Sequence, residues 1–154
     1  MSERIEEVHT KKKGKFGQTI QVRLVSDIKK SQEYYRDVLG CEVDNWGHAE
    51  RDGMIIILQQ ANSPDDVRPN ALSKKRSDYP TDWEGPEYGW DTYIHVSWDD
   101  LDLLVEEVRG NGGNIAVEPY TGMHGQWEFK NTCIKDPDGY NIVLGSMREL
   151  RLLS

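Results

Sequence analysis

The pattern that begins at Thr19 is laid down a second time from Thr92, and few folds are open to a chain duplicated in this way. In the first copy Ile20, Val22 and Leu24 alternate with Gln21 and Arg23, the period of a strand. Ser26-Asp27 then opens a helix over residues 28–39. Ile28, Tyr34 or Tyr35, Val38 and Leu39 form its apolar stripe, and Gly40 is its stop. Strands follow at 41–46, 48–51 and 54–59, the last two joined through Asp52-Gly53. In the second copy residues 92–98 alternate, with Ile94, Val96 and Trp98 on one face and Tyr93, His95 and Ser97 on the other. Asp99-Asp100 opens a helix through Leu101, Leu104, Val105 and Val108, ended by Gly110-Asn111-Gly112-Gly113. Strands at 114–118, 127–135 and 140–145 complete the copy, the last pair turning at Asp136-Pro137-Asp138-Gly139. Two βαβββ modules account for this order, and a cleft lined by both is the natural place for a ligand.

The 154 residues divide into a flexible leader (1–16), a first module (17–60), a lid or linker (61–89), a second module (90–147) and a tail (148–154). The segment 61–89 is rich in Pro, Asp, Ser and Gly and too long for an ordinary connection, yet Trp83, Tyr88 and the adjoining Trp90 argue for docking. A formal net charge of −8 repels phosphate backbones, and the cluster Lys11-Lys12-Lys13 with Lys15 reads as a solvated arm, so nucleic acid is not an expected partner. The longest apolar run, 54–58, is too short to span a membrane. The first seven residues lack the apolar stretch of a secretory signal, and two unclustered cysteines, Cys41 and Cys133, suit neither a disulfide scaffold nor a zinc site. A cytoplasmic protein is expected.

Two stretches carry a resemblance. Val25-Ser26-Asp27-Ile28-Lys29-Lys30-Ser31 with Tyr34-Tyr35-Arg36-Asp37-Val38-Leu39-Gly40, and Asp136-Pro137-Asp138-Gly139-Tyr140-Asn141-Ile142-Val143-Leu144, resemble the opening module and the closing strand of the vicinal-oxygen-chelate superfamily of glyoxalases, bleomycin-resistance proteins and extradiol dioxygenases. Arg68-Pro69-Asn70, Trp90-Asp91-Thr92-Tyr93-Ile94 and Trp127-Glu128-Phe129 resemble its bleomycin-resistance-like, metal-free members. The likeness covers residues 19–147. It implies an α+β fold of two βαβββ modules, curved mixed sheets around a concave cavity, and a homodimer. In metal-using members, His, Gln or Glu ligands come from four strand positions. Carried onto this chain, those positions fall on Ile20, Ile57, Tyr93 and Val143, so no metal and no cofactor is expected. A register slip of one residue would instead bring Gln21 to the first position, leaving His95, Gln21 and Glu128 as an alternative metal trio.

If Ile20, Val22 and Leu24 pack under the helices, Gln21 and Arg23 face the cavity, joined by Tyr93, His95, Gln59 and Asn141, with Trp46, His48, Trp90, Trp127, Glu128 and Phe129 at the rim. These are the candidate ligand-binding residues. Each has a plainer role open to it. Trp46, Trp98 and Phe129 suit a core or interface, Trp98 above all; His95 suits a satisfied core histidine; His9, His48 and His124 suit solvent. Arg23 requires a partner, either Glu128 or Glu50 in an ion pair, or an anionic ligand. The reading is a small-molecule-binding protein enclosing an organic guest, cationic and aromatic, with no catalytic residue assigned. An antibiotic as that guest follows from the resemblance alone. The alternatives are a metal-dependent lyase, isomerase or dioxygenase, and a metal-free enzyme using His95 or Glu128 as a base.

Overall fold

Asp27 sets the first helix. Its backbone is extended and its carboxylate accepts from the Lys29 and Lys30 amides at 3.1 Å, so α1 runs Ile28–Asp37. The computed structural model describes residues 12–70 and 89–151; the leader up to residue 11 and residues 71–88 of the expected lid or linker (61–89) lie outside the described residues. Around α1 stand β1 (Gln21–Val25), β2 (Glu42–Val43), β3 (His48–Arg51) and β4 (Met54–Gln60), in the order β1-β4-β3-β2 with β1 parallel to β4. The second module repeats this. Its elements are β5 (Thr92–His95), α2 (Trp98–Gly110), β6 (Asn114–His124), β7 (Trp127–Lys135) and β8 (Asn141–Glu149), in the order β5-β8-β7-β6 with β5 parallel to β8. The fold is therefore α+β, two βαβββ modules with mixed four-stranded sheets. Among the described residues no helix is long and apolar enough to cross a membrane.

Several local expectations shift. Ser97, not the Asp99-Asp100 pair, caps α2: its Oγ accepts from the Asp100 amide at 3.2 Å, and Trp98 becomes the first helical residue. Trp98 is thus half-buried rather than a core residue of a strand, with the Lys130 ammonium 4.5 Å and the Arg148 guanidinium 3.9 Å from its ring centre. The strand expected over 41–46 shortens to Glu42–Val43, because the Asp44 carboxylate accepts from the Trp46 and His48 amides at 2.9 Å and turns the chain. Gly47 closes that turn at φ +87°, where a Cβ would run into the Leu58 carbonyl. β6 and β8 outrun their expected ends, because Gly125 at φ +61° folds a tight hairpin that pairs His124 with Trp127.

The core lies between the helices and both sheets. Val25, Tyr35, Leu39, Ile56 and Leu58 from the first module join Leu101, Val105, Ile134, Ile142 and Leu144 from the second in one buried cluster. The modules are tied on this helix side. Tyr34 donates to the Lys135 carbonyl at 2.9 Å, Tyr140 donates to the Leu24 carbonyl at 2.6 Å, and Arg51 meets Glu107 at 2.5 Å.

This arrangement reverses the expected facing of β1. Val25 and Arg23 are buried toward the helices, whereas Val22, on the other face, stays 58% exposed. The register agrees, since Arg23 lies beside Leu58 and Val22 beside Ile57.

Both cysteines are free and buried, and burial pushes each thiol up to about 11. Burial also raises the phenols of Tyr34 and Tyr35. An unfolded thiol titrates near ~8.5, so between there and about 11 the unfolded chain releases protons that the native state retains. Stability present below that window is lost as pH rises through it. The urea midpoint is expected to fall from pH 8 to pH 10.5, and iodoacetamide at pH 8 is expected to label either thiol only in urea. Rapid labelling of the native protein contradicts this placement.

Candidate functional site

The face of the second sheet turned away from α2 is built around β8, where Asn141, Val143, Gly145 and Met147 alternate outward. Tyr93 is registered beside Val143, and His95 beside Gly145. The Tyr93 ring lies across β8 over Gly145, in space that any Cβ at that position would claim. Trp90 stacks on Tyr93 with ring centres 5.3 Å apart and planes 22° from parallel. The Trp90 backbone is pinned by Asn70, from the segment that joins the modules. Asn70 donates its side-chain amide to the Trp90 carbonyl and its backbone amide to Asp91, each at 2.7 Å, and the other Asp91 oxygen accepts from the Asn141 amide at 2.8 Å. Asn70 and Trp90-Asp91 thus act together, as a clasp that positions the stacked pair.

Beneath the rings, Val143 is fully buried and the Cys133 thiol donates to the Asn141 side-chain oxygen at 3.5 Å. Toward the far end of the sheet Tyr120 meets Phe129 edge-on at 6.4 Å, and Gly122 leaves room for the Phe129 ring. Trp127 and Met147 on the same face are 43% and 47% exposed. Among the described residues the centre of this surface is aromatic and amide-bearing.

The residues named from sequence are distributed unevenly. Trp90, Tyr93, His95, Trp127 and Asn141 share this face. His48 and Gln59 lie on the corresponding face of the first sheet with Val22 and Ile57, His48 Nδ1 being 2.9 Å from an Asp44 oxygen. Trp46 projects from the Asp44 turn, 83% exposed. Gln21 and Arg23 point the other way. Arg23 donates to Tyr35 Oη at 3.1 Å and to Gln21 at 2.8 Å, reaches the Thr92 hydroxyl, and lies 4.8 Å from the Tyr140 ring centre. Its partners are neutral, not Glu50 or Glu128. Glu128 sits on the opposite face of β7 with Arg148 at 2.6 Å, beside Trp98. Tyr120, Asn131, Gly145 and Met147 were not named in advance. The alternation along β8 is the signal that would have found the last two.

Residues 16–144 match the model of the Glyoxalase/Bleomycin resistance protein/Dioxygenase superfamily. The chain belongs to this superfamily. Three solved structures share the superfamily fold at low identity. An integron cassette protein from the mobile metagenome of V. cholerae is 19% identical over 87% of this chain and 97% of its own, with a TM-score of 0.55. A glyoxalase/bleomycin resistance protein/dioxygenase from Nocardioides is 15% identical over 100% of both chains, at 0.58. The genomically encoded fosfomycin resistance protein FosX of Listeria monocytogenes is 12% identical over 86% of this chain and 94% of its own, at 0.55. No curated protein matches the sequence.

Superfamily membership raises the question of a metal, and the residues present do not fit one. At the four positions the resemblance marks stand three aliphatic side chains, Ile20, Ile57 and Val143, and Tyr93, already stacked on Trp90. The alternative trio of His95, Gln21 and Glu128 is not assembled. Gln21 faces the helices and accepts from Arg23 and Thr92, and Glu128 is on the other face with Arg148. Among the described residues no three of His, Cys, Asp or Glu come together as a metal group. His95 and Glu128, the two candidate bases, lie on opposite faces of their sheet and form no acid–base pair.

Proposed function

We propose that this protein is a metal-free, bleomycin-resistance-like member of the superfamily. It encloses a planar organic cation between two copies of the chain. The observation that carries this reading is the Tyr93–Val143 neighbour pair, a stacked ring and a buried aliphatic at two of the positions where metal-using members hold donors. A stacked tryptophan–tyrosine pair offers a π surface to a flat guest, and Asn141 and Asn131, both largely buried, lie on the same face as polar groups beneath it. The net charge of −8 favours a cation, which aromatic faces also attract.

A second copy supplies the missing wall. Val22, Tyr93, Trp127 and Met147 place exposed apolar area on the faces opposite the helices, the kind of area that drives association. Nothing in this mode of action requires an acid, a base or a nucleophile.

Titration with N-methylacridinium should quench tryptophan fluorescence saturably. Tyr93→Ala should weaken binding roughly tenfold, equal to about 1.4 kcal/mol and within the range of one aromatic contact. An emission spectrum unchanged at millimolar probe rejects this ligand class.

A further inference from the structure

A cavity of about 810 Å³ opens on the other side of β5, between the two modules. Thr92, Ile94 and Val96, on the helix side of β5, line it together with Tyr93 and His95. Leu104 and Val108 of α2 form one wall, Leu39 and Met54 of the first module the other. It is a cleft partly open to solvent rather than a sealed void, and its lining is more apolar than polar.

Two braces tie its walls together. At one end Arg51 donates to the Leu39 carbonyl at 2.9 Å and to Glu107 at 2.5 Å, linking the β3–β4 hairpin to α2. At the other end the Thr92 hydroxyl donates to Gln21 at 2.5 Å, linking β5 to β1. Each brace is satisfied by its own partners, so neither needs the cavity to close. The volume is that of a pocket for a small molecule.

The charges on the lining indicate which kind. Asp52, Asp100 and Glu107 border the cavity against one cation among the lining residues, Arg51, which meets Glu107 at 2.5 Å and Asp52 at 3.9 Å. The lining groups therefore carry an excess of negative charge over apolar walls. We infer that this inter-module cavity is a second binding site, separate from the aromatic face, for an apolar amine: an aliphatic chain inside, its ammonium among Asp52, Asp100 and Glu107 at the mouth.

Calorimetric titration of the whole protein with decylamine, decanol and decanoate, each below its aggregation limit, tests this inference. Decylamine should bind saturably and at least tenfold more tightly than decanoate, with decanol between. Asp52→Asn combined with Asp100→Asn, both at exposed positions, should cut decylamine affinity at least fivefold and leave decanol unchanged. Leu104→Trp, which fills the cavity, should abolish both, provided its circular dichroism matches the native protein. Saturating N-methylacridinium should leave decylamine binding intact. Equal affinity for amine and carboxylate, undiminished binding in a folded Leu104→Trp protein, or one-for-one displacement by the acridinium each overturns the second site. The amine–carboxylate comparison and the Leu104→Trp result do not depend on whether the aromatic face binds its own guest.

Discussion

Arg23→Ala is expected to lower the free energy of unfolding by about 3 kcal/mol at pH 7, the scale for removing a buried charge that its surroundings were built to satisfy. Arg23 is buried, and its guanidinium engages Tyr35, Gln21, Thr92 and the Tyr140 ring, so it links α1, β1 and β5 across the module boundary. Tyr35 in turn donates to Asp136 at 2.8 Å, which brings the guanidinium's charge to a buried carboxyl through one hydroxyl. Truncation to alanine orphans these groups together.

The pH dependence separates this account from simple loss of packing. Burial raises the Asp136 carboxyl above its usual range, partly offset by hydrogen bonds and by Arg23. A carboxyl raised in the folded state favours folding while it is neutral, below the unfolded value near ~3.9, and that contribution is lost as pH climbs through the folded value. Without Arg23 the folded value rises further, so ionised Asp136 costs more at neutral pH. The deficit of Arg23→Ala should therefore be larger at pH 7 than at pH 4, measured by urea unfolding. A deficit below 1 kcal/mol, or one that grows toward acid, removes Arg23 from this role.

Gly145→Ala carries the largest expected effect on binding. The new methyl group would occupy the space of the Tyr93 ring and hydroxyl. The backbone of β8 tolerates alanine, and Tyr93, 43% exposed, has room to swing outward. Stability should then change by no more than about 2 kcal/mol, within the range for a strained substitution that the structure can relieve. The stacked pair does not survive. Near-ultraviolet circular dichroism should lose the Trp90–Tyr93 contribution, and N-methylacridinium should bind at least tenfold more weakly. An unaltered spectrum with unaltered affinity shows that Tyr93 does not lie over Gly145.

The sequence discloses the features of this molecule that are set within a few residues. Asp27 with its two downstream amides, the repeated glycine stops and Asp52-Gly53 act locally, so the duplication and both helices are legible. So is the lack of metal donors at Ile20, Ile57, Tyr93 and Val143 once the superfamily likeness is noticed. The facing of β1 is not legible. Ile20, Val22 and Leu24 alternate as a buried stripe should, but Arg23 finds Tyr35 twelve positions away and Thr92 sixty-nine positions away, and those distant partners decide which face turns inward. Trp98 misleads for a related reason. Alternation continues through it, while Ser97 three residues before Asp100 starts the helix earlier. Glu128 is turned away from the aromatic face because Arg148, its neighbour across β7 and β8, claims it on the other side.

Native mass spectrometry of the protein, purified from its own host without chelator, puts the main proposal to the most direct test. The expected spectrum is a dimer carrying an organic guest that is released on unfolding, with no divalent metal in fixed ratio. A monomer without a guest, or a dimer holding one transition-metal ion per chain, contradicts the account.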